Sequence, residues 1–60
     1  MHVTEGIVFR IKFLRAMLSV MTETDINAFG RICTRASANE LEKADIEQLE
    51  ELYQKFEKKG

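Results

Sequence analysis

Cys33 is the only thiol in this 60-residue chain and His2 the only imidazole. Chemistry that needs a soft ligand or a neutral-pH base has to run through these two. A nucleophile needs an adjacent base, and the base needs a group to orient it. Cys33 follows Ile32 and lies one turn after Phe29, on the apolar side of its segment. A thiol placed there reads as an inert, small core hydrophobe. His2 is expected to be solvated. Two soft ligands fall short of the roughly four positions of a structural zinc, and a lone cysteine closes no disulfide within the chain. The sequence carries no glycine-rich phosphate loop and no nucleotide fingerprint. Its ten Asp and Glu residues follow helix-surface spacing, the pattern of a solvated face rather than of acid–base pairs. The expectation is therefore a protein that is not an enzyme, with no catalytic residue, metal, cofactor or small-molecule substrate.

What remains to be positioned is a set of apolar and basic side chains. A chain this short buries only about 60% of its unfolded surface, so its core is marginal, and a second subunit or a partner is the natural extra support. The formal net charge is −1, which creates no global attraction for nucleic acid. The charge is uneven, however. Basic residues Arg10, Lys12, Arg15, Arg31 and Arg35 dominate the first part of the chain, and acidic residues dominate after Ser37. Such an imbalance predicts pairing of one half with the other, within or between subunits.

Three segments follow one another without proline or low-complexity tracts. In the first, Thr4 to Met21, residues Ile7, Ile11, Leu14, Leu18 and Met21 form a helical seam. A second strip, Phe9, Phe13, Ala16 and Val20, lies roughly opposite, with Lys12, Arg15 and Ser19 as a polar wedge between them. A helix apolar on two sides needs cover on two sides. The alternation Ile7, Phe9, Ile11, Phe13 also supports a strand. The second segment, Thr24 to Arg35, is expected to start from an N-cap at Thr22 or Thr24. It gathers Ile26, Phe29, Ile32, Cys33 and Ala36 on one face, and Gly30 offers a close helix crossing. In the third, Ser37 to Lys59, Ser37 to Glu40 fits a capping box, and Ile46, Leu49, Leu52, Tyr53 and Phe56 make the apolar stripe. Glu51 and Lys55 are spaced for an ion pair. Glu42 and Asp45 fall on that stripe's side. Either they meet arginines there or the helix restarts at Asp45, where Asp45 to Gln48 offers another capping box.

The expected fold class is all-α, a three-helix bundle or an interlocked helical dimer; an N-terminal strand followed by two helices is the alternative. Residues 1–60 would make a single small helical domain. No stretch reaches the about 20 apolar residues of a membrane span. Glu5 ahead of the apolar run, and Arg and Lys inside it, argue against a signal peptide. The unpaired cysteine suits a reducing cytoplasm.

For function, the residues point to a non-catalytic protein-interaction module, a small regulator or adaptor. It would bind a larger protein, or form a homodimer, through an apolar helix face flanked by basic residues. Phe9, Phe13 and Val20 are the candidate partner or dimer interface. Arg10, Lys12, Arg15, Arg31 and Arg35 are the candidate basic contact face. The alternative is a small dimeric nucleic-acid-binding regulator, with those cations on phosphates. Against it, the segment that a helix-turn-helix would place in the major groove opens with Glu40, Glu42, Asp45 and Glu47.

Overall fold

The computed structural model describes residues 4–58, and these form three α-helices and no strand. α1 spans Glu5–Ala16, a 3-10 turn covers Leu18–Val20, α2 spans Glu23–Ser37 and α3 spans Lys43–Glu57. Each α-helix starts on a side chain that satisfies a free amide. The Thr4 hydroxyl accepts from Ile7 N–H, and the Thr22 hydroxyl accepts from Asp25 N–H. Glu42 N–H is bonded by the Asp45 carboxylate three residues on. These bonds engage amides that the helix ladder leaves unpaired at its N-terminus. Of the two caps the sequence offers for α2, Thr22 is the one used.

α3 packs against both α1 and α2. The core is one cluster: Ile7, Ile11 and Leu14 from α1, Met21, Phe29 and Ile32, Leu41 from the second connection, and Leu49, Leu52 and Phe56 from α3. Phe13, Met17, Cys33, Ala36 and Ile46 pack on its margin. Leu14, Ile32, Leu49 and Phe56 are the largest fully buried side chains. The bundle thus closes a core within one chain. The alternating Ile7–Phe13 stretch is helical rather than extended, because the helix places Ile7, Ile11 and Leu14 together on the face that α3 covers.

Several local expectations change. α1 stops at Ala16, five residues before Met21. The following 3-10 turn has about three residues per turn; it carries Met21 into the core and leaves Leu18 37% exposed. α2 is rotated so that Ala28, Phe29 and Ile32 face inward, which puts Ile26 on the flank at 40% exposure. Gly30 is not a crossing point: a Cβ built there meets nothing within 4 Å.

The largest correction is at the second connection. α2 runs through Ser37, so Ser37 to Glu40 is not a capping box. Asn39 takes a left-handed conformation, φ 57°. Glu40 N–H reaches back to the Arg35 carbonyl and Asn39 N–H to that of Ala36. This is a Schellman end with asparagine in the left-handed position. α3 then begins at Lys43, with Asp45 as the closing residue of its first turn rather than its cap.

Leu14→Ala or Leu49→Ala should cost about 2–5 kcal/mol and show as a large loss of the thermal unfolding midpoint. Gly30→Ala should do the opposite. It sits in a helix interior with open space around its Cα, so the added methyl should stabilise by about 0.5–1 kcal/mol, read as a raised urea midpoint.

Candidate functional site

The outer face of α1 is built by helical geometry. Glu5, Val8, Phe9 and Lys12 stand at intervals of three and four residues, so they share the side opposite Ile7, Ile11 and Leu14. Val8 is 38% exposed and Phe9 59%. With Thr4 they line a shallow, open concavity of about 330 Å³.

The candidate interface residues separate. Phe13 turns toward α3, half-buried, with its ring centroid 5.2 Å from that of Tyr53 in an edge-on contact. Phe9 meets the same ring at 6.1 Å and stays largely in solvent. Val20 is 55% exposed, but it sits on the 3-10 turn after α1 has ended and does not continue the strip. Val8, which the two-strip reading of the sequence passes over, joins Phe9 instead. The spacing of residues 5, 8, 9 and 12 was the available signal.

The candidate basic residues also divide by task. Arg10 is held to α3: its Nε donates to Glu50 Oε2 at 2.6 Å, and Nη1 donates to the Gly6 carbonyl at 3.0 Å. Its guanidinium lies 5.1 Å from the Tyr53 ring centroid. Arg35 Nη1 donates to both oxygens of Asp45, at 3.0 and 2.9 Å. Lys12, Arg15 and Arg31 are exposed and make no salt bridge with the described residues. Lys55, spaced for Glu51, pairs with Asp25 at 2.8 Å instead. Two of the three bridges thus join the basic first half to the acidic second half.

Asp45 is the one buried charged residue among those described. It accepts from Glu42 N–H and from Arg35, and these bonds, the backbone amide first, hold its carboxyl below the ordinary aspartate range. The same pairing raises Arg35. Lys55 likewise lowers Asp25. Asp25 and Lys55 border a second concavity, about 230 Å³, between α2 and α3, where their charges are spent on each other.

Cys33 is half-buried against the core, and His2 lies outside the described residues. Among the described residues no His, Cys, Asp and Glu cluster is arranged to hold a metal ion. No described helix is long and apolar enough to cross a membrane. Comparison with family models, curated proteins and solved structures returned no match to this chain.

Asp25 and Asp45 ionise more readily in the folded chain than in the unfolded one. The stability they contribute is complete above the ordinary aspartate value of 3.8 and is lost as pH falls through their lower folded values. Asp45→Asn should therefore melt earlier than the parent at neutral pH, with the gap narrowing as pH falls below 3.8. Parallel melting curves across that range would remove Asp45 from this role.

Proposed function

We propose that this chain is a non-catalytic protein-interaction module, a small regulator or adaptor that holds a protein partner through the outer face of α1. The observation that carries the reading is the side-by-side exposure of Val8 and Phe9 on a helix whose other side already serves the core. Exposing an aromatic and a β-branched side chain together forgoes the burial that a partner would supply, at about 25 cal/mol per Å² of apolar area. Lys12 and Arg15 on the same helix supply the charged rim that orients a partner. Phe9, rather than Phe13 or Val20, is the anchor in this reading.

The nucleic-acid alternative draws less support. Arg10 and Arg35, two of its five cations, are engaged by Glu50 and Asp45. The remaining Lys12, Arg15 and Arg31 are divided between α1 and α2.

A photo-crosslinking residue at position 9 should form protein adducts in the native host. The same residue at position 30, on open α2 surface, should not. Phe9→Ser should abolish binding of whichever protein is captured while changing folding stability by less than about 1.5 kcal/mol. Equal adducts from both positions would overturn the reading. So would duplex-DNA binding that weakens steeply with salt and is lost in Lys12→Ala/Arg15→Ala, which would install the alternative.

A further inference from the structure

The outer face of α1 is complementary to itself. Glu5 lies in the first turn of α1 and Lys12 two turns later, with Val8 and Phe9 midway between them. Seven residues at about 1.5 Å rise separate the two charges by about 10 Å along the axis. A two-fold axis passing between residues 8 and 9 would lay one α1 antiparallel across another. Each Glu5 then falls opposite the other copy's Lys12, twice by symmetry, and the two Val8–Phe9 pairs meet at the centre. This is the isologous arrangement of two-fold dimers, in which one patch serves both sides.

Two further features fit the arrangement. Residues spaced as 5, 8, 9 and 12 are the four that form a hole for a side-chain knob from a facing helix, and here they line an open concavity. Both Glu5 and Lys12 are exposed, and neither makes a salt bridge with the described residues. We propose that a second copy of this chain docks on this face, forming an antiparallel α1–α1 dimer with reciprocal Glu5–Lys12 pairs around Phe9. The inference rests on the reading of α1 as a protein-binding face and names its occupant. A single helix face is small beside the roughly 1,200–2,000 Å² of stable interfaces. The dimer is accordingly a weak one, with Kd above about 1 µM. A different protein using Phe9 would compete with it.

Charge exchange in the full chain tests the register. Sedimentation equilibrium should show concentration-dependent dimerisation, with circular dichroism confirming the helical fold of every variant. Glu5→Lys alone and Lys12→Glu alone should each weaken dimerisation by about tenfold, since each turns two attractions into two repulsions. The double variant Glu5→Lys/Lys12→Glu should return to within about threefold of the parent. An equimolar mixture of the two single variants should form a heterodimer better than either dimerises alone. A strict monomer at about 1 mM, or a double variant no better than the singles, overturns the proposal. If that happens while adducts to another protein from position 9 persist, only the dimer falls. If Phe9→Ser alters neither self-association nor binding of the captured protein, the reading of the face falls with it.

Discussion

The outward side of α1 stays uncovered because α3, the helix that packs against both others, can lie on only one side of it. A 60-residue chain has a single core to offer, and Ile7, Ile11 and Leu14 take α1's share of it. Phe13 escapes solvent by reaching the Tyr53 ring at the edge of the α1–α3 contact. Phe9, one turn earlier, touches the same ring only in part, and Val8 lies beyond it. Burial on one face therefore produces exposure on the other, and the proposed function follows from that geometric shortage.

The second constraint is the turn between α2 and α3. α2 ends on a left-handed Asn39, and Leu41 drops into the core immediately after. Asp45 then closes the first turn of α3 while accepting from Arg35 at the end of α2. A buried carboxylate without partners would be costly. Here it ties the last turn of one helix to the first turn of the next, so the charge contributes to the angle between them. The favourable placement of a negative group at a helix N-terminus and a cation at a C-terminus acts in the same direction at this joint.

Charge thus serves two purposes. Arg10, Arg35 and Lys55 work within the bundle, each reaching a carboxylate on another helix. Arg10–Glu50, open to solvent on both sides, contributes about 0–1 kcal/mol, so its larger effect is on how the helices are oriented. Lys12, Arg15 and Arg31 are left facing solvent. The basic residues that looked alike in the chain are separated by whether α3 presents an acid within reach.

The all-α class, the three helices and most of the core were legible in the sequence, because they depend on local periodicity and residue type. Ile7, Ile11, Leu14, Phe29, Ile32, Leu49 and Phe56 recur at helical intervals that a single segment reveals, and the bundle buries all of them. The choice between arginine partners and a restart at Asp45 could be posed but not decided: Arg35 pairs with Asp45, and α3 starts at Lys43 rather than at Asp45. Where α1 stops, how far α2 turns, which cation finds which acid and which phenylalanine stays outside were settled only by tertiary structure. Each depends on a neighbour distant in sequence: Tyr53 for Phe9 and Phe13, Glu50 for Arg10, Asp25 for Lys55. The physical reason is that helix period specifies which side chains share a face, whereas the packing of other helices determines which faces are covered.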